Sequence, residues 1–184
     1  MLNSAGISCH YYCLLFACGL RQGGEDEEGI LGFLVDDIRT EARRGNRLNC
    51  RFCKKKGATS ACAIPQCQVK FHIPCGLKNN ILNQFFGNFN SFCPSHRPVQ
   101  NIPLKFRSTN TDCSICYESI SPTYPFYKEL WTPCCKKWLH KDCIQKQAYS
   151  AGQFYFKCPL CNNEPLFKSE MRQFGIYAPE KLVR

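Results

Sequence analysis

The chain has 184 residues, room for one domain or two small ones, with sixteen cysteines, four histidines and a formal charge of +10. That cysteine content is far above ordinary usage, so cross-links or metal must stand in for a large apolar core. No apolar run approaches the roughly 18–20 residues of a membrane span, so no membrane partner is expected. His10, His72 and His140 each stand three residues before a cysteine. A disulfide-linked secreted protein has no use for that spacing, and zinc in a reducing interior is the expectation.

In chain order, Ile7–Leu20 has the look of a signal-peptide core, but it contains a histidine and lacks a basic flank, which argues against export. His10 and Cys13 form half of a zinc site, with Cys9 and Cys18 nearby. The alternative, which is preferred, is a set of free, partly buried thiols. Gly23–Gly29 is an acidic loop. A short charged helix follows, with Asp36 as its cap, Ile38 and Ala42 facing the next module, and Gly45 or Asn46 as its end.

Residues 50–98 carry four ligand pairs: Cys50 and Cys53, Cys62 and Cys67, His72 and Cys75, Cys93 and His96. Zinc takes four tetrahedral Cys and His donors, and a two-residue gap lets one turn supply two of them. The order predicts interleaving, with pairs one and three on one ion and pairs two and four on another. Phe71 should pack beneath the sites. Phe85, Phe86, Phe89 and Phe92 should supply the small core, an aromatic cage for a methylated lysine being the alternative. This segment holds seven basic side chains and no acidic one. Arg51, Lys54, Lys55, Lys56 and Lys70 suit phosphate, predicting salt-sensitive, sequence-independent DNA contact unless the face is merely solvated.

Residues 99–112, with Pro103, read as a linker. A second set of pairs follows over 113–164: Cys113 and Cys116, Cys134 and Cys135, His140 and Cys143, Cys158 and Cys161. The adjacent Cys134 and Cys135 either both bind one ion or divide into one ligand and one buried thiol; two-ligand use is preferred. Four zinc ions are thus expected, and a fifth only if the His10 and Cys13 half-site is completed. Three sites of three Cys and one His, and one of four Cys, would lower the charge to about +5. A short helix is expected over Glu170–Gly175, within a tail of residues 165–184.

The first module resembles an extended PHD finger, in which a zinc knuckle and helix pack onto the finger. His10-Tyr11-Tyr12-Cys13 matches the knuckle's end, and Gly32-Phe33-Leu34 with Asp37-Ile38 its helix. Residues 1–49 then read as knuckle and helix, and 50–98 as the finger. The second module resembles a RING-like finger. The fold class expected is a small zinc-stabilised α+β chain, an extended PHD finger plus a PHD/RING-like cross-brace finger. Cys53-Lys-Lys-Lys-Gly-Ala, Phe71-His-Ile-Pro-Cys-Gly, Pro133-Cys-Cys and Cys158-Pro-Leu-Cys-Asn-Asn are similar to the amino-terminal part of the family of G2/M-phase-specific ubiquitin ligases and PHD finger protein 7. The family's opening C-x2-C is missing, and its chains continue past a segment like Met171–Pro179, so the sequence reads as a member truncated at both ends.

The resemblance implies a RING-type ubiquitin-protein transferase, nuclear with a cytoplasmic pool as the alternative. It would dock a ubiquitin-conjugating enzyme and act on a chromatin or nuclear protein. Such a domain has no catalytic nucleophile and works by positioning. Ile115, Pro159 and Leu160 stand where the docking patch is expected, with Ile144 a weaker candidate. Asn162, where RING ligases often carry a basic residue, and Phe156 before the last pair depart from the RING pattern. The other reading is a non-enzymatic chromatin or nucleic-acid binding module. A histone-tail groove calls for carboxylates, which residues 50–98 lack unless Glu25–Glu28 folds over them.

Overall fold

The computed structural model describes residues 2–4, 6–107 and 110–180. Five two-stranded antiparallel pairs, five α-helices and a 3-10 turn at Leu104–Phe106 make a small α+β fold among these residues. The chain divides into two compact units, Met1–Asn83 with Gly87–Arg97, and Gln84–Phe86 with Pro98–Arg184. No helix of the described residues is long and apolar enough to cross a membrane.

The first unit opens with the hairpin β1 (Leu2–Ser4) and β2 (Ile7–Cys9), then the short helix α1 (Tyr11–Leu15). The acidic segment after it closes on itself: Gly24 and Gly32 exchange a backbone bond, as do Gly32 and Glu28. Helix α2 spans Val35–Gly45. Leu34, and not Asp36, holds the capping position, while Asp36 and Asp37 lie in the first turn, where the helix dipole favours carboxylates. Ile38, Glu41 and Gly45 form the buried stripe at helical spacing, and Ala42, expected to face inward, is exposed on its flank. Ile38 joins Leu14, Ile30 and Phe33 in a small core. Buried Glu41 is neutralised by Arg44, whose Nη2 lies 2.6 Å from Oε1 and also donates to Thr59 O at 3.0 Å. That carboxylate raises the Arg44 pKa.

The finger of the first unit is built on β3 (Ser60–Ala61) paired with β4 (Lys70–Phe71), helix α3 (Ile73–Lys78), and β5 (Leu82–Asn83) paired with β6 (Ser91–Phe92). Phe71 is fully buried and tilts against Phe52, as the sequence leads one to expect of a ring beneath the sites. It packs so closely on α3 that a Cβ at Gly76 would lie 2.7 Å from its ring. The Phe85, Phe86, Phe89 and Phe92 core does not form. None of the four is fully buried; Phe89 meets Phe16 edge-on, and Phe85 stacks on Tyr177 in the second unit. Phe71, Ala58, Ile81 and Leu82 fill the interior instead.

The second unit contains β7 (Thr111–Asp112) paired with β8 (Ser119–Ile120), β9 (Glu129–Trp131) paired with β10 (Trp138–His140), and helices α4 (Lys141–Tyr155) and α5 (Pro165–Gln173). Gly152 interrupts α4 with φ +61°. Helix α5 begins five residues before the expected Glu170, because Pro165 presets the first helical φ and Asn163 Oδ1 accepts from Leu166 N. The segment read as a linker is packed into this unit. Ile102 is 1% exposed, and buried Gln100 accepts from Trp131 N at 2.7 Å and donates to Trp131 O at 2.9 Å. Gln145 holds Tyr177 in the same way, at 3.0 and 2.7 Å. Ile144, the weaker docking candidate, is fully buried on the inner face of α4 and offers nothing to a partner.

Candidate metal centres

Five of the eight ligand pairs are placed by one of two local devices. In the first, a knuckle, the opening residue's N–H donates to the carbonyl five residues on, and its own carbonyl accepts from the N–H four residues on. Cys50 does this with Lys55 and Lys54, Cys113 with Glu118 and Tyr117, and Cys158 with Asn163 and Asn162. The fifth residue of each knuckle takes a left-handed conformation, with φ between +57° and +63° at Lys54, Tyr117 and Asn162. This tight loop turns the sulfurs at its first and fourth positions toward one point. In the second device, His72 directly after β4 and His140 at the end of β10 occupy the positions before α3 and α4. Three residues on, Cys75 and Cys143 lie in the first helical turn, on the same side.

The fold brings four tetrads together, the donor atoms of each within 4.8 Å of one another: Cys50, Cys53, His72 and Cys75; Cys62, Cys67, Cys93 and His96; Cys113, Cys116, His140 and Cys143; Cys134, Cys135, Cys158 and Cys161. The interleaving of pairs one with three and two with four holds in both units. Metal–sulfur bonds of about 2.3 Å in a tetrahedron imply sulfur–sulfur edges of roughly 3.8 Å, and slightly shorter edges to nitrogen. Cys67 and Cys93 sulfurs are 3.9 Å apart, and those of Cys135 and Cys158 3.6 Å. Nδ1 of His72 lies 3.4 Å from Cys53 Sγ, that of His96 3.3 Å from Cys93 Sγ, and that of His140 3.3 Å from Cys116 Sγ. The donor sets therefore fit four zinc ions. Among the described residues, His10 and Cys13 join no such group. Burial raises the Cys9 and Cys13 thiols.

Thiol electrostatics follow the same geometry. Burial opposes ionisation of Cys50, but N–H groups of Cys53, His72 and Phe52 point at its sulfur and hold it down at about 6. Cys113 is held at about 7 by His140, Cys116 and Ile115, against its burial. Burial and neighbouring thiolates push Cys75 up to about 11 and Cys143 to about 12. A readily ionised thiol close to a reluctant one makes a site that a dication completes. With Nδ1 turned to the metal, His72 Nε2–H donates to Lys56 O at 3.0 Å, fixing tautomer and ring orientation.

Other predicted site residues are placed as follows. Pro159 and Leu160 are exposed and Ile115 is half-buried. Arg51, Lys54, Lys55 and Lys56 are exposed and Lys70 is half-buried. Arg51 N donates to Lys70 O and Lys54 Nζ to Arg51 O, which draws three of these five together. Sequence reasoning passed over Thr132, which is fully buried beside Cys135. Its signal was register: Thr132-Pro-Cys-Cys-Lys matches Cys50-Arg-Phe-Cys-Lys, with threonine at the first position.

Residues 10–97 match the family model described as a PHD-like zinc-binding domain. The G2/M phase-specific E3 ubiquitin-protein ligase of Homo sapiens is 48% identical over 176 residues, covering 95% of this chain and 25% of the relative. That of Gallus gallus is 44% identical over 176 residues, 95% of this chain and 24% of the relative. The Pineapple eye protein of Drosophila melanogaster is 34% identical over 179 residues, 95% of this chain and 30% of the relative. Matched tetrads and matched model together define a PHD-like zinc-binding protein. Within that class the chain is similar, over nearly its whole length, to the G2/M phase-specific E3 ubiquitin-protein ligases. It spans about a quarter of the length of these relatives.

Proposed function

We propose that this chain acts in ubiquitin transfer, its second unit docking a ubiquitin-conjugating enzyme in the manner of a RING domain. The observation carrying this reading is the exposure of Pro159 and Leu160 between two metal ligands, in a unit whose other knuckle carries half-buried Ile115 between Cys113 and Cys116. Zinc makes both loops rigid, and rigid apolar loops suit a partner surface because little entropy is lost on docking. The chain's contribution to the reaction is positioning: it holds the enzyme-bound thioester in a reactive conformation while an acceptor lysine attacks. Relatives named as E3 ubiquitin-protein ligases support the reading. Autoubiquitination with a panel of conjugating enzymes tests it. Activity that Ile115→Ala abolishes while all four zinc ions remain is the expected result; inactivity of metallated protein with every enzyme would remove the proposal.

The basic face of the first finger favours a second role. Arg51, Lys54 and Lys70 are joined through backbone and side-chain bonds, and residues 50–98 carry no carboxylate to offset them. In this reading the first unit holds nucleic acid of chromatin while the second presents the conjugating enzyme to a nuclear protein, which places the chain in the nucleus. Affinity for duplex DNA should fall steeply with salt, the slope of log K against log salt being roughly −0.9 per phosphate neutralised. A flat response would leave the basic face as solvated surface.

A further inference from the structure

We infer that the Cys134, Cys135, Cys158 and Cys161 centre is a zinc knuckle whose first position is taken by Thr132, with Cys134 supplying the fourth thiolate from two residues further on. This displaced ligand makes the centre the first of the four to release its metal. The inference stands on the metal site alone and does not require ligase activity.

The backbone carries the assignment. Thr132 N donates to Lys137 O at 2.8 Å, and Thr132 O accepts from Lys136 N at 2.8 Å. Lys136 has φ +59°. These are the bonds and the conformation of the knuckles opened by Cys50, Cys113 and Cys158, so residue 132 occupies the position those cysteines hold. Cys135 falls on the second ligand position, the counterpart of Cys53, Cys116 and Cys161. Cys134 falls on the position of Phe52 and Ile115, whose side chains contribute no donor to the metal centres.

Threonine keeps the loop closed while giving up the metal. Its side chain is fully buried, with Oγ1 3.1 Å from Cys135 Sγ, 3.0 Å from Lys137 O and 3.0 Å from Lys137 N. A hydroxyl has one proton. Lys137 N–H donates to Oγ1, and Oγ1–H, which donates to Lys137 O, turns to Cys135 Sγ once that sulfur is a metal-bound thiolate, which only accepts. Thr132 is thus a positioning residue for Cys135. Cys134 lies two residues past the position that the knuckle's two backbone bonds hold, so its sulfur reaches the metal from inside the loop. A ligand displaced from the position the loop is built to present is the weakest of the centre's four.

Native mass spectrometry with a chelator tests the inference. Wild-type protein should carry four zinc ions and lose one ahead of the rest. Cys134→Ser should hold three, and the double variant Thr132→Cys with Cys134→Ser should regain the fourth and lose the early phase. Thr132→Val should weaken this centre by roughly 10- to 100-fold, as expected when a hydrogen-bond partner of a metal ligand is removed, and Thr132→Ser should restore it. Four ions in Cys134→Ser, or three in a folded double variant, would overturn the assignment. Where the double variant does not fold, wild-type protein decides. After one equivalent of zinc is withdrawn, maleimide should label Cys134, Cys135, Cys158 and Cys161, beyond the Cys9, Cys13 and Cys18 thiols that label without chelator. Label appearing first in another tetrad overturns the proposal.

Discussion

At the scale of single residues, the zinc centres depend on groups that never touch metal. Gly57 has φ +100°, and a Cβ there would lie 3.3 Å from His72 Nε2, the atom that donates to Lys56 O. Gly57→Ala should therefore cost on the order of 1–3 kcal/mol in backbone strain and tilt the imidazole. Faster zinc loss from the Cys50 centre, followed with a metallochromic chelator, is the measurement. Thiol ionisation sets a pH dependence. Cys50 and Cys113, held at about 6 and 7, are ionised in weakly alkaline solution, whereas Cys75 and Cys143, pushed to about 11 and 12, keep their protons until metal displaces them. Zinc binding at pH 8 should release protons, so affinity rises with pH and falls steeply below about 6 as Cys50 also protonates. Calorimetry in buffers of different ionisation enthalpy reads the proton count directly.

At the scale of elements, short strands and one-turn helices hold because side chains replace missing backbone partners. Gln100 serves as a one-residue strand against Trp131, satisfying its N–H and C=O where β9 has no second neighbour. Gln100→Leu leaves both backbone groups buried without a partner. It should cost on the order of 1–3 kcal/mol for each group, measured by denaturant unfolding of the zinc-loaded protein. Helix α3 shows the opposite constraint. Gly76 lets Phe71 close onto it, and Gly76→Ala would force the ring and the adjoining β3–β4 pair apart, costing about 1–3 kcal/mol by overpacking. These elements were only partly legible in the sequence. The α2 stripe was visible in Ile38, but Glu41 belongs to it only because Arg44 lies beside it to neutralise it. Pro165, suited to a first helical position, marks the start of α5.

At the scale of the whole molecule, each unit has a small interior, and the metal centres carry the closure that a larger core would supply. Four zinc ions per chain are expected by native mass spectrometry. Exhaustive chelation under reducing conditions should collapse the circular-dichroism signal, since a structural site contributes about 10–16 kcal/mol of folding free energy.

The ligand sets were readable from sequence because metal coordination is a local constraint: a knuckle or a helical first turn places two donors whatever surrounds it. The interleaved order then left one economical way to share them. The destination of residues that answer only to packing was decided by tertiary structure. Phe85 and Phe89 part to different neighbours, Ile144 turns inward, Gln100 buries an amide, and Thr132 takes a cysteine's place. Each of these depends on atoms distant in the chain, and hydrophobic burial, being non-directional, leaves no mark of its partner in the residues that undergo it.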